Sequence, residues 1–130
     1  MVDSLSTPLK RVRGLGSAKS GVQHWWLQRL TAIVLIPLTL WAFYILVQIP
    51  TLNAASAADF LSSPLQGLGV FALLTAMLWH AKLGLTVVVE DYLHSTAIKV
   101  VLLIIIKILA AAGIVASGLA IAKLIIISAQ

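Results

Sequence analysis

Three long apolar runs separated by short polar stretches dominate the pattern of the chain. The first has no charged residue from Leu30 to Val47, and the second none from Phe60 to Ala81. The third, Val100 to Ile127, contains only Lys107 and Lys123. A helix needs about 20 apolar residues to cross a hydrocarbon core of ~30 Å. The pattern therefore predicts three membrane-spanning helices, at about residues 26–49, 65–89 and 100–127. Pro37 should kink the first, which a helix bundle in lipid tolerates. The third is long for its task, about 42 Å of helix, so its two lysines are expected to snorkel toward opposite surfaces. Between them Ala112, Ala116 and Ala120, with Gly113 and Ser117 beside them, recur at four-residue spacing. Small residues so spaced let helix backbones approach, so this face should pack on a neighbour.

Composition agrees with lipid as the solvent. Of the 130 residues, 61% are hydrophobic and 10% charged, and the mean hydropathy is +1.07. A soluble domain of this size could not hide so much apolar surface. The chain has no cysteine, which excludes disulfides, thiol chemistry and iron–sulfur ligation by its own residues. Its first apolar run comes too late and is too long for a secretory signal.

The net charge of +5 matters through its placement. Residues 1–23 form a polar arm with Lys10, Arg11, Arg13 and Lys19, in which Gly14, Gly16 and Gly21 argue against a stable helix. Residues 50–64 contain no Lys or Arg and read as a loop. Basic residues collect on the cytoplasmic side, so the N-terminus is expected inside and the C-terminus outside. A nucleic-acid-binding arm is the rival for residues 1–23, but basic residues beside a span more often set orientation or touch lipid headgroups. The expected protein is all-α and multi-pass: a basic arm (1–23) and a three-helix anchor (24–130), with little room for soluble catalysis. Such a chain reads as an anchor or a subunit.

Candidate chemistry gathers at the end of the second span. His80, Gly84, Val87 and Asp91 fall on one helical stripe, with His80 about 16 Å along the helix from Asp91. A histidine that deep needs a partner inside the bundle. With Gly84 one turn on, it suits an axial haem ligand with space beside it for a flat porphyrin. A histidine hydrogen-bonded to a neighbouring helix fits the same spacing. No second ligand lies at matching depth, because His24 and His94 are both near the boundary, so a six-coordinate haem would need one from another subunit. Asp91 and Tyr92, flanked by Glu90 and His94, place a phenol and a carboxylate at the membrane edge. There they could bind a quinone carbonyl or form an ordinary polar helix terminus. Arg29, one turn inside the first span after His24-Trp25-Trp26, either snorkels or pairs with an anion. Lys82, which shares a face with Thr86 and Glu90, reads as structural.

Two motifs extend this reading. His80-Ala-Lys-Leu-Gly84 followed by Glu90-Asp91-Tyr92-Leu-His94, together with Gly-Ser-Ala-Lys-Ser-Gly before His24-Trp-Trp-Leu-Gln-Arg29-Leu-Thr-Ala, resembles the small hydrophobic membrane anchor of succinate dehydrogenase, respiratory complex II, in its alphaproteobacterial and mitochondrial branch. The resemblance covers nearly the whole chain. It implies that His80 is an axial ligand of haem b, shared with a cytochrome b anchor subunit that supplies the second histidine. It implies that Arg29 contacts a haem propionate, with His24 as a further candidate, and that Tyr92 hydrogen-bonds ubiquinone with Asp91 close by. It further implies an iron–sulfur subunit and a flavoprotein as partners, a place in the bacterial cytoplasmic (inner) membrane, and a role in the tricarboxylic acid cycle and electron transport. The chain on its own would not be catalytic, and lipid rather than nucleic acid would surround it. Lys82 departs from the family pattern, where a neutral residue is expected. The alternatives are a fumarate reductase anchor, running the reaction in reverse, and a cofactor-free structural subunit of a transporter.

Overall fold

The structure, a computed structural model, describes Thr7, Leu9, residues 21–48 and residues 53–130. Lys10, Arg11, Arg13 and Lys19, on which the expected orientation rests, lie outside the described residues, as does Pro50. Four helices follow one another: α1 (Gly21–Gln48), α2 (Ala54–Ser62), α3 (Pro64–Tyr92) and α4 (Thr96–Ser128). There is no strand among the described residues. The stretches Val22–Gln48, Pro64–Tyr92 and Thr96–Ser128 are each long and apolar enough to cross a membrane. The chain is thus an all-α, three-span membrane protein.

The helices outrun the apolar segments because backbone hydrogen bonding does not stop where the hydrocarbon does. α1 takes in His24, Trp25 and Trp26, and its half-buried positions include the run His24, Gln28, Thr31, Leu35, Leu38, Ala42 and Ile45, with Leu27, Ala32 and Trp41 beside it. That three-and-four spacing marks one face turned to the protein. Gly21, expected in the polar arm, is the first residue of this helix. Pro37 lies on the exposed side of α1 and the helix continues through it. α3 opens with Pro64, whose missing N–H would have had no helical partner there. It ends after Tyr92, where the Leu93 N–H still reaches the Val89 carbonyl. Lys107 and Lys123 occupy exposed positions of α4.

α2 is the unexpected element, since residues 50–64 read as loop. It is set by a capping box: Asn53 accepts from the Ser56 N–H at 2.8 Å, and the Ser56 hydroxyl accepts from the Asn53 N–H at 3.1 Å. The helix rests against α3 and α4.

α3 is the centre of the bundle. It packs on α1 and on α4, and among the described residues α1 and α4 do not pack on each other. Lipid tails are as apolar as leucine, so helices associate here by close fit rather than by escape from water. Glycines make the fit. A methyl on Gly67 would lie 2.8 Å from the Leu61 carbonyl oxygen and 2.9 Å from Ile121, and one on Gly69 would lie 2.5 Å from the Trp41 ring. From the α4 side, Gly113 accepts Leu78 and Gly118 accepts Phe71. These pairs fix an antiparallel register on both flanks of α3. The small-residue stripe on α4 therefore divides. Gly113 and Ser117 are half-buried toward the bundle, while Ala112, Ala116 and Ala120 are exposed. Buried positions are few, led by Leu83 (2% exposed), Thr86 (6%) and Ile121 (6%). Most of the large apolar side chains face outward, as lipid or a partner helix requires.

Candidate functional site

The interface between α1 and α3 holds the polar cluster of the membrane interior. His80, half-buried on α3, meets two side chains of α1. Its Nδ1 lies 2.8 Å from the Thr31 hydroxyl and its Nε2 lies 3.2 Å from the Gln28 amide nitrogen. The Thr31 hydroxyl also reaches two acceptors of its own helix, the Leu27 carbonyl at 2.9 Å and the Gln28 carbonyl at 3.0 Å. With Gln28 Nε2 as the donor, the imidazole Nε2 accepts and the ring proton sits on Nδ1, facing the Thr31 hydroxyl. The other end of the glutamine, Oε1, is buried with no hydrogen-bond partner among the described residues.

Gly84, one turn from His80, faces the same glutamine. A methyl placed there would stand 3.5 Å from Gln28 Nε2, ordinary contact, with nothing else close. The stripe His80, Gly84, Val87 and Asp91 does not all face the protein: Val87 is 46% exposed, and Leu83, Thr86 and Val89 form the buried face of this end of α3. His80 and Gly84 flank that face on its α1 side.

His24 is half-buried on the same α1 face as Gln28 and Thr31, one turn closer to the helix start. Arg29 is exposed and points off this face; its guanidinium carbon lies 4.7 Å from the centre of the Trp25 ring, a cation–π contact. Trp25 meets Trp26 edge-to-face, with ring centres 5.0 Å apart. Arg29 is thus held toward the N-terminal end of α1, with no carboxylate of the described residues engaging it.

Asp91 and Tyr92 are placed at the last turn of α3, eleven and twelve residues from His80, about 16–18 Å along the axis. Both are exposed, Tyr92 by 78%, and neither side chain is hydrogen-bonded by a described residue. The turn behind them is tied to α4, because Lys99 Nζ donates to the Glu90 carbonyl at 2.9 Å. The structure therefore separates the predicted residues into an interior cluster at His80 and an exposed pair at the helix end. Lys82 places its Nζ 4.5 Å from the centre of the Trp79 ring, and the Thr86 hydroxyl bonds the Lys82 carbonyl. No described group joins Lys82 to Glu90 through Thr86.

Gln28 and Thr31 were not singled out by sequence reasoning. Their signal was there: two polar residues, three apart, in a segment that otherwise must satisfy lipid. What the sequence lacked was the register that sets them opposite His80. One further hollow, an apolar cavity of about 260 Å³ lined by Trp41, Ile45, Phe60, Leu61 and Val70 among others, lies toward the other end of α1 and has no titratable group in its wall. Among the described residues no cluster of three metal-ligating side chains exists.

The chain is similar to known membrane proteins. A family model described as succinate dehydrogenase/fumarate reductase transmembrane subunit matches residues 3–125. The chain belongs to this family. It is 34% identical over 106 residues to the succinate dehydrogenase hydrophobic membrane anchor subunit of Rickettsia bellii, covering 82% of this chain and 85% of that protein. It is 32% identical over 95 residues to the succinate dehydrogenase membrane anchor subunit of Reclinomonas americana, covering 71% and 79% respectively. The corresponding Rickettsia conorii subunit is 31% identical over 118 residues, 89% of this chain and 93% of that one. Membership in the succinate dehydrogenase/fumarate reductase family leaves the transporter-subunit alternative without support. Both ring nitrogens of His80 are engaged by α1.

Proposed function

We propose that the chain is the small membrane anchor of a succinate:ubiquinone oxidoreductase of a bacterial inner membrane, with its N-terminus in the cytoplasm. In this reading His80 would be one ligand of a haem b held jointly with a cytochrome b anchor subunit. Arg29, with His24 as a further candidate, would pair with the haem propionates, and Tyr92 with Asp91 would form part of the ubiquinone site. A flavoprotein and an iron–sulfur subunit dock on the same side, and the chain supplies anchorage rather than succinate chemistry.

The observation that carries the reading is the setting of His80. A ligating imidazole must offer one nitrogen lone pair and donate its other N–H to a fixed acceptor. Thr31 is that acceptor, and the nitrogen left over faces a flexible glutamine whose oxygen has no partner, a side chain cheap to displace. The residues fit the group. When bound, haem b would supply a one-electron carrier within the bilayer. Arg29 would keep its guanidinium available to an anion beside the site, where its cost in lipid is offset by Trp25 and by the paired charge. At the helix end, the Tyr92 hydroxyl would donate to a quinone carbonyl oxygen and orient the ring. The neighbouring Asp91 carboxyl would exchange protons between that site and water. Exposure of both side chains suits a site completed by other subunits.

The test is the reduced-minus-oxidised spectrum of the purified complex containing this chain. His80→Ala should lose or strongly weaken the b-type absorbance, whereas an unchanged spectrum refutes ligation by His80. The fumarate reductase alternative remains within the same family; comparing succinate oxidation with ubiquinone against fumarate reduction with a low-potential quinol assigns the favoured direction.

A further inference from the structure

We infer that Thr31 is a positioning residue for His80, fixing which imidazole nitrogen carries the proton and thereby tuning a metal bound to the other; this rests on the haem reading above. Its hydroxyl has one hydrogen and sits within hydrogen-bond distance of two backbone carbonyls, Leu27 and Gln28, which can only accept. With its hydrogen committed to its own helix, Thr31 meets His80 Nδ1 at 2.8 Å as an acceptor. The Nδ1–H is thus held, and the Nε2 lone pair is presented to the space occupied by the Gln28 amide. An N–H directed at a fixed oxygen makes an imidazole a stronger donor to a metal and stabilises the more oxidised ion.

The same helix contains its own control. Thr39 makes the same two backbone contacts, to the Leu35 carbonyl at 2.7 Å and the Ile36 carbonyl at 3.0 Å, and is exposed with no side-chain partner among the described residues. Threonine as a helix residue is therefore not what distinguishes position 31. The histidine opposite it is.

The experiment uses the whole purified complex carrying Thr31→Val, Thr31→Ala, Thr31→Ser, Thr39→Val or His80→Ala, with haem content and haem midpoint potential as readouts. Thr31→Val keeps the shape and removes the acceptor; Thr31→Ala does so without any added bulk. Both should retain haem on the order of tenfold to a hundredfold less tightly, and the haem that remains should titrate at a higher potential. Thr31→Ser should restore both values, and Thr39→Val should leave both unchanged. Unaltered haem retention and potential in Thr31→Val and Thr31→Ala, with His80→Ala losing the haem, overturns the role of Thr31 alone. A complex without haem, or one whose haem survives His80→Ala, overturns the haem reading and this inference with it. Equal changes in Thr39→Val and Thr31→Val also overturn the inference, because they would trace the effect to helix α1 rather than to the contact with His80.

Discussion

Individual residues divide the chemistry of this anchor between two depths. His80 is engaged on both ring nitrogens by α1, whereas Tyr92, about 18 Å away along α3, is engaged by nothing described and is 78% exposed. A tyrosine whose hydroxyl has no intramolecular duty can lose it at little structural cost. Tyr92→Phe should therefore leave the complex assembled and succinate oxidation by an artificial acceptor intact, while quinone reduction falls roughly 10-fold or more, the usual scale for a hydrogen bond made to the reacting group. Assaying both acceptors on one preparation checks this, and equal loss of the two would place Tyr92 in assembly instead. Arg29 is the more instructive case at this scale. Its position one turn inside the span was visible in the sequence, but its engagement with the Trp25 ring was not, since two residues four apart on a helix touch only if both rotamers cooperate. Likewise the identity of His80 as a polar residue in lipid was legible from its place in the run, and the need for a partner followed from cost alone. That the partners are Thr31 and Gln28 was not legible, because periodicity within each helix carries no information on the register between helices.

At the level of elements, what holds the three spans together is the steric fit along α3. Gly67 and Gly84 lie on the same helix and make opposite predictions. At Gly67 a methyl would press on a backbone oxygen at 2.8 Å and on Ile121 at 2.9 Å. A backbone oxygen cannot swing aside, so α2 or α4 must move. Gly67→Ala should destabilise the assembled complex by about 1–3 kcal/mol, the cost of overpacking a close contact. Gly84→Ala meets only a flexible amide at 3.5 Å and should leave thermal stability unchanged. Thermal melting of the detergent-solubilised complex compares the two; a lower melting temperature for Gly84→Ala than for Gly67→Ala would show that the packing around α3 has been misjudged. The spans themselves were readable from apolar run length, since lipid leaves the backbone no alternative to a helix. α2 was not, because Pro50, Pro64 and the polar residues between them imply a loop by composition. Only the Asn53–Ser56 pair marked a helix start, and nine residues carry too little periodicity to stand out.

For the whole molecule, the exposed apolar faces and the separation of α1 from α4 describe a layer of helices rather than a closed bundle. A chain so built must meet lipid or other helices on most of its surface, which suits a subunit of a larger membrane complex. Its direction across the membrane decides which side the Asp91–Tyr92 end faces, and hence where a quinone site and soluble partners could lie. An odd number of spans puts the two termini on opposite sides, so α2 and the C-terminus share one face while the α3–α4 turn shares the other with the start of α1. In the proposed orientation, the basic residues of the first 23 positions, against none in 50–64, would put α2 and the C-terminus outside. The absence of cysteine allows a direct test without a prior background substitution. Single cysteines at Ala55, an exposed position of α2, and at Ser95, in the exposed turn between α3 and α4, sample the two sides. In intact spheroplasts a membrane-impermeant maleimide should label Ala55→Cys, and it should label Ser95→Cys only after the membrane is opened. The reverse pattern would invert the topology and move the Tyr92 end to the outer surface, away from any partner that delivers electrons from the cytoplasm.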